Sequence, residues 1–204
     1  RMAAAIDELS NGRFILGLGA GWNAAEHAAF GFELPAPKER SDGLEEGAGL
    51  IRALFDRSPA SFDGKIFQAK DAYLHPRPVQ DHIPILVGGS GERRTLRLVA
   101  RHADGCNLFG DPPAITHKVD VLRAHCEVEG RDPAAITVTQ LSEAGVIDHG
   151  GDRYADVVGT VDEQIGRFRA LADAGVERVF VALHEDGTTE QIERFAPVIA
   201  AFDP

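Results

Sequence analysis

The sequence predicts an α/β protein in which parallel strands alternate with helices. Short apolar runs recur along the chain, and the first, at residues 14–18, lacks the polar alternation of a half-exposed strand. We therefore expect that strand to be buried on both faces. A segment with helical spacing follows each run, so strand and helix alternate five times. Because no long linker or break in composition interrupts the alternation, one domain is expected over residues 1–204.

The helices are predicted from apolar residues at helical spacing and from capping residues. Ser41 or Asp42 is expected to cap the longest early helix, with Arg52 on its solvent-facing side. Thr160 and Glu163 form a capping box at the start of a later helix. Helices are expected over residues 2–9, 23–31, 42–55, 92–102, 111–129, 160–174 and 188–202.

The strands are predicted from short apolar or β-branched runs bounded by turn residues. One segment departs from the alternation: residues 57–83 are predicted to be an insertion, with a tight hairpin around Asp63 and Gly64. The strands of the alternating pattern are expected over residues 14–18, 85–87, 105–109, 136–140 and 178–183.

The first predicted strand ends in small residues and one large aromatic residue. Gly19, Ala20 and Gly21 precede Trp22. Glycine permits a left-handed backbone and close approach of a ligand, and an indole offers a flat surface. This pattern predicts a floor for a planar ligand, although a glycine pair after a strand and a core tryptophan are also common in proteins without such a ligand. The spacing differs from the dinucleotide-binding fingerprint.

The second predicted strand leads directly into a glycine-rich loop. Gly88, Gly89 and Ser90 precede a helix expected from residue 92, and Arg93 and Arg94 lie beside the loop. Backbone N–H groups and the positive end of a helix dipole form an anion site. We therefore predict a phosphate site here. The alternative is that the loop only turns the chain and that Ser90 caps the helix.

Composition and charge exclude several classes of protein. The chain is 44% hydrophobic and 26% charged, which is typical of a globular protein. Its net charge of −11 argues against nucleic-acid binding. No apolar run approaches the length of a membrane-spanning helix and no signal segment is evident, so a cytoplasmic protein is expected. Cys106 and Cys126 are predicted to be packing residues, and the eight histidines show no metal-ligand spacing.

Five strand–helix units are compatible with two architectures. One is an open doubly wound sheet, and the other is the carboxyl-terminal part of a (β/α)8 barrel. A closed barrel needs eight strands and usually about 250 residues, which is more than this chain supplies.

Several separated motifs resemble the luciferase-like monooxygenase superfamily, and most closely its F420-dependent oxidoreductases. The resemblance begins in residues 8–31, around Gly19 to Trp22, and extends over nearly the whole chain. The further segments that carry it lie at residues 76–80, 84–91, 94–96, 103–105 and 174–176.

The resemblance implies an α/β fold of the (β/α)8 TIM-barrel type, incomplete here. The five strands resemble strands four to eight of the family barrel, so the first three would precede Arg1. The chain would then be part of a longer product or a truncated member. Barrel sites form at the carboxyl ends of the strands. The other residues expected at that rim are Asn107, Gln140, Ser142, His184 and Glu185.

The resemblance also implies a cofactor and a reaction. It implies hydride transfer between coenzyme F420 and a small organic substrate, in a protein that is commonly a dimer. No catalytic residue is assigned, although His184 and Glu185 are candidates for a general acid or base. Two alternatives remain: an FMN-dependent monooxygenase of the same superfamily, and a catalytically incomplete barrel fragment. The residues implied in cofactor binding are Gly19, Ala20, Gly21, Trp22, Gly88, Gly89, Ser90 and Arg93, the first four along the ring and the others at the phosphate.

Overall fold

A computed structural model describes residues 1–147, 157–183 and 188–203 of the chain. It divides into two compact units. The first unit contains Arg1–Cys106 and Leu122–Ile136, and the second contains Asn107–Val121 and Thr137–Pro204. Strand β5 (Gly105–Leu108) and helix α5 (Pro112–Glu129) contribute residues to both units.

The first unit combines parallel strands, four helices and a separate hairpin. The elements that lie wholly in this unit are α1 (Met2–Leu9), β1 (Leu16–Leu18), α2 (Ala24–Ala29), α3 (Pro37–Asp56), β2 (Ala60–Asp63), β3 (Gln68–Ala72), β4 (Ile85–Gly88), α4 (Thr95–His102) and a short 3-10 helix (Pro133–Ala135). Strand β4 lies between β1 and β5, and β1 pairs with β4 in parallel. The predicted hairpin around Gly64 is confirmed, because β2 and β3 are antiparallel.

Strand β1 is shorter and more exposed than predicted. It covers three residues, and Ile15, which precedes it, is 42% exposed. Gly17 is exposed, whereas Leu16 and Leu18 are half-buried. In the described sheet β1 pairs only with β4 and lies at the end of the strand order. The prediction of burial on both faces is therefore wrong, because Ile15 and Gly17 are exposed.

Helix α3 begins five residues before the predicted capping position. Pro37 occupies its first turn, where a missing N–H costs nothing. The Glu39 carboxylate accepts a hydrogen bond from the Ala36 N–H at 3.2 Å. Ser41 and Asp42 lie inside the helix, so their predicted capping role is wrong.

Two carboxylates join segments of the first unit that are far apart in the sequence. Asp7 on α1 is fully buried and accepts hydrogen bonds from the backbone of Val79 and Gln80 at 2.8 and 3.0 Å. Asp104 accepts from Arg52 at 2.6 Å and from the Ile85 N–H at 2.8 Å. Arg52 was predicted to face solvent, but its side chain is only 14% exposed because of this ion pair.

One apolar cluster of the first unit lies around α1 and α3. Residues from the predicted insertion complete this core, so the insertion packs as part of the unit. The buried residues of this cluster are Ala4, Phe55, Leu74 and Ile83, with Phe14, Leu16, Ile51 and Leu54 packed against them.

The second unit is built on a long parallel strand. The elements that lie wholly in this unit are β6 (Thr137–Val146), β7 (Val158–Gly159), α6 (Val161–Asp173), β8 (Arg178–Leu183) and α7 (Thr189–Ala200). Strand β6 pairs in parallel with both β7 and β8, and Gln140 is opposite Val179 in the β6–β8 register. The predicted capping box is confirmed, since Thr160 and Glu163 exchange hydrogen bonds of 2.8 and 3.3 Å.

Strand β6 is twice as long as the five-residue strand that the sequence predicts, with ten residues. Gln140 and Ser142 therefore lie within the strand, and both are buried. Helices α6 and α7 meet through Phe168 and Phe195, whose rings are 6.1 Å apart in an edge-to-face arrangement.

Candidate functional site

The two loops predicted to bind a cofactor follow neighbouring parallel strands of the first unit. Leu16 is opposite Ile85, and Leu18 is opposite Val87. A Cβ added to Gly88 would lie 3.8 Å from the Leu18 carbonyl oxygen. The chain therefore leaves both strands at the same edge of the sheet, the one formed by the carboxyl ends of the strands. We refer to residues 19–22 as the Trp22 loop and to residues 88–91 as the Gly89 loop.

The Trp22 loop presents an open glycine backbone and an exposed indole. Trp22 is 82% exposed. Gly21 has a φ of +76°, the left-handed region that favours glycine. A Cβ added to Gly19 would meet no atom within 4 Å. A flat ligand can therefore approach this loop without displacing protein atoms.

His27 is the titratable group packed against this loop, and the sequence analysis assigned it no role. A Cβ on Gly21 would lie 3.4 Å from His27 Cε1 and 3.5 Å from Nε2. Nδ1 of His27 donates to the Asn23 carbonyl at 2.8 Å, since a carbonyl oxygen can only accept. The spacing of Asn23 and His27 on α2, four residues, was the available signal.

The Gly89 loop is separated from the helix that follows it. Helix α4 begins at Thr95, three residues later than predicted, and Ser90 therefore does not cap it. Gly89 has a φ of +129°, and a Cβ on Gly91 would lie 2.9 Å from Thr95 Oγ1. Gly89 and Gly91 are thus needed for the turn that leads into α4, whether or not a ligand binds to the loop. The phosphate role of Gly88, Gly89 and Ser90 stays a prediction.

The two arginines beside the Gly89 loop differ in their availability to a ligand. Arg93 is exposed, and no described residue is its hydrogen-bond or ion-pair partner. Arg94 pairs with Asp42 and donates to the Lys38 carbonyl at 3.5 Å. Hydrogen bonds from Lys38 and then Arg94 hold the pKa of the Asp42 carboxyl below its usual value. Arg93 is therefore the cation of this pair that can neutralise a phosphate.

Helix α3 contributes an arginine that the sequence analysis missed. Arg40 donates from Nη1 to the Gly21 carbonyl oxygen, across nineteen residues of chain. The sequence analysis started this helix after Arg40 and therefore left Arg40 outside it. A contact between residues so far apart in the chain has no local sequence signal.

The other described residues predicted for the rim belong to the second unit. Asn107 accepts a hydrogen bond from Thr139 at 2.9 Å, and Gln140 donates to the Gly110 carbonyl at 2.7 Å, all within the second unit. Ser142 donates to Gln140 Oε1 at 3.3 Å. Gln140 and Ser142 therefore lie within β6 and are buried, so the prediction that they lie beyond the end of the strand is wrong. His184 and Glu185 lie outside the described residues.

The second unit contains a cavity of about 660 Å³ that the sequence did not predict. Gln140 and Gln164, both buried, are on its wall. Gln164 donates to the Gly145 and Val157 carbonyls at 3.1 and 2.9 Å. The other lining residues are Gly110, Asp111, Pro112, Val157, Val158, Gly159, Glu163, Arg167 and Leu171.

The described residues give no sign of a metal centre or a membrane span. No group of three or more His, Cys, Asp or Glu side chains in residues 1–147, 157–183 and 188–203 is arranged to hold a metal ion. Within the same residues, no helix is both long and apolar enough to cross a bilayer. Cys106 and Cys126 are buried and form no disulfide within the described residues, as the packing interpretation requires.

Comparison with solved structures shows the fold. The chain superposes on an F420-dependent secondary alcohol dehydrogenase, solved with an F420–acetone adduct, with a TM-score of 0.82 and 18% identity, covering 99% of this chain and 73% of the other. It superposes on a riboflavin lyase, solved with modified FMN and riboflavin, with a TM-score of 0.74 and 17% identity, covering 97% and 66%. The protein is therefore an α/β protein of the TIM-barrel type.

Sequence comparison shows the family. Residues 1–149 match the model of the luciferase-like monooxygenase family, and the chain belongs to that family. An uncharacterised protein of Mycobacterium tuberculosis is 35% identical over 129 residues, covering 63% of this chain and 45% of the relative. Pyrimidine monooxygenase RutA of Allorhizobium ampelinum is 37% identical over 106 residues, covering 51% and 28%. The match thus spans less than half the length of these relatives.

Proposed function

We propose that this chain carries the cofactor site of an F420-dependent oxidoreductase that acts on a small organic substrate. The observation that carries the proposal is the pairing of β1 with β4, which brings the Trp22 loop and the Gly89 loop to one sheet edge. One loop offers an exposed indole, and the other leads to an exposed arginine. When bound, F420 would supply hydride transfer at carbon five of its ring.

The residues present fit such a group. An anionic planar cofactor needs a flat apolar surface, a backbone that it can approach closely, and a cation near its phosphate. Trp22 supplies the surface, and Gly19 and Gly88 leave room at the backbone. Arg93 supplies a cation in a chain whose net charge is −11. The protein's part is to hold the ring against the substrate and to exclude water.

FMN is the second candidate for the same site. A monooxygenase, RutA, is among the relatives, and a structure solved with modified FMN shares the fold. The exposed indole of Trp22 suits the ring of either molecule, and the open backbone at Gly88 and the exposed Arg93 suit the phosphate of either. Cofactor preference therefore separates the oxidoreductase from the monooxygenase.

A fluorescence titration tests the proposal directly. The chain contains one tryptophan, Trp22, so its emission reports on this loop alone. We expect F420 to quench it saturably. A preference for FMN would replace the first candidate with the second. If neither molecule binds, the chain by itself is not a functional cofactor site, which is the incomplete-barrel hypothesis.

A matched pair of ligands tests the phosphate contact. Arg93→Ala should weaken FMN binding by about tenfold, the usual effect of losing a hydrogen bond to a charged group. Riboflavin lacks the phosphate, so its affinity should stay unchanged in the same variant. Equal losses for both ligands would contradict the placement of the phosphate beside Arg93.

A further inference from the structure

Arg40 joins helix α3 to the Trp22 loop. Its Nη1 donates to the Gly21 carbonyl oxygen. Its Nε is buried, and no acceptor among the described residues lies within hydrogen-bonding distance of it. The Arg40 side chain is half-buried, and its hydrogen bond to Gly21 places the guanidinium beside the loop.

The same part of α3 also contacts the chain that follows the Gly89 loop. Arg94 donates to the Asp42 carboxylate and to the Lys38 carbonyl. Lys38, Arg40 and Asp42 all lie in the first two turns of α3. The first two turns of α3 thus contact the Trp22 loop directly and Arg94, three residues after the Gly89 loop.

We propose that Arg40 is a positioning residue for cofactor binding, which fixes the Gly21 carbonyl and so presents the Trp22 indole to the ring. This inference rests on the proposed function of the Trp22 loop. Gly21 needs such a support because it adopts a left-handed φ and has no side chain to restrict it. Without Arg40, the free loop would sample more conformations. Binding would then have to order the loop, and the conformational entropy lost in doing so would weaken affinity.

The loop's mobility can be measured without any ligand. Because Trp22 is already 82% exposed, its emission maximum carries little information, whereas its time-resolved anisotropy reports local motion. We expect Arg40→Ala to lower the residual anisotropy of Trp22. Arg40→Lys should restore part of it, since an ammonium group can still donate to one carbonyl.

Arg13→Ala is the matched control. Arg13 also donates to a backbone carbonyl, that of Ser10 at 2.8 Å, but it lies before β1 and not at its carboxyl end. Its loss should leave the anisotropy of Trp22 unchanged. Unchanged anisotropy in Arg40→Ala, or an equal drop in Arg13→Ala, would overturn the inference.

Binding completes the test. In a titration that follows the fluorescence of F420 itself, Arg40→Ala should weaken affinity by about tenfold or more, and Arg13→Ala should not. If the unchanged protein binds F420 and Arg40→Ala binds it equally well, the inference fails and the proposed function stands. If the unchanged protein binds neither F420 nor FMN, the proposed function fails, and the ligand role of Arg40 fails with it.

Discussion

Replacing Asp7 by asparagine should destabilise the protein strongly, although the two side chains have nearly the same shape. Oδ2 of Asp7 accepts from the backbone N–H groups of Val79 and Gln80, and Oδ1 accepts from Gln80 Nε2 at 2.6 Å. The same Nε2 donates to the Phe14 carbonyl at 2.8 Å. An asparagine oxygen could serve the two backbone donors, but its NH2 group would then face the NH2 group of Gln80. Turning the Gln80 amide would only place its oxygen against Phe14 O.

The expected cost follows from this mispairing. Losing the acceptor of a buried, charge-assisted hydrogen bond and leaving donors unpaired costs about 2–4 kcal/mol in free energy of unfolding. For a chain of this size, that corresponds to a fall in Tm of roughly 4 to 16 °C. Thermal unfolding should be followed by far-UV circular dichroism, because Trp22 is exposed in the folded state and reports unfolding poorly.

The control for Asp7→Asn is Glu8→Gln on the same helix. Glu8 is exposed, so the same exchange of carboxylate for amide should change Tm by less than about 2 °C. If the Tm of Asp7→Asn lies within about 2 °C of the Tm of Glu8→Gln, the argument from mispaired donors is refuted.

The pH dependence of the Asp7 effect gives a second check. Burial alone would raise the pKa of Asp7, but hydrogen bonds from Gln80 and Val79 outweigh burial and lower the pKa below 3.8. A carboxyl with a lowered folded-state pKa contributes stability above its unfolded pKa and loses that stability as the pH falls through the folded value. The difference in stability between the unchanged protein and Asp7→Asn should therefore be constant from neutral pH to about pH 5 and shrink below about pH 4.

Three further predictions use other features of the structure. Gly64→Ala should lower Tm, because the new Cβ would lie 2.6 Å from a backbone oxygen, whereas Gly166→Ala has open space in a helix and should stabilise by about 0.5–1 kcal/mol. Asp104→Asn should cost about 1–3 kcal/mol in urea denaturation, since it breaks the ion pair with Arg52; an unchanged midpoint would contradict this. Trp22→Phe should weaken F420 binding several-fold without changing Tm, as judged by cofactor fluorescence.

Local signals in the sequence predicted most of the elements. The capping box at Thr160 and Glu163 and the hairpin at Gly64 are set by residues close together in the chain, and both are confirmed. The glycines after β1 and β4 marked the two loops because a left-handed backbone, as at Gly21 and Gly89, favours glycine. The start of α3 was missed because Ser41 and Asp42 are as good capping residues as any.

Contacts between distant residues decided the rest. Asp42 is held by Arg94, fifty-two residues away in the chain, and this pairing replaces any capping role. Gln140 is buried because β6 continues beside β8 past this residue. The residue types next to Gln140 in the sequence do not indicate how far the strand extends.

By itself, the sequence determined the order of strands and helices, the two glycine loops, and the family to which the chain belongs. These features depend on local backbone preferences and on residue patterns that the chain carries directly. Only the tertiary structure gave the register between β1 and β4 and brought Arg40 to the Gly21 carbonyl. Strand register and the reach of a long side chain arise from packing between segments that are far apart in the chain, and no local pattern encodes them.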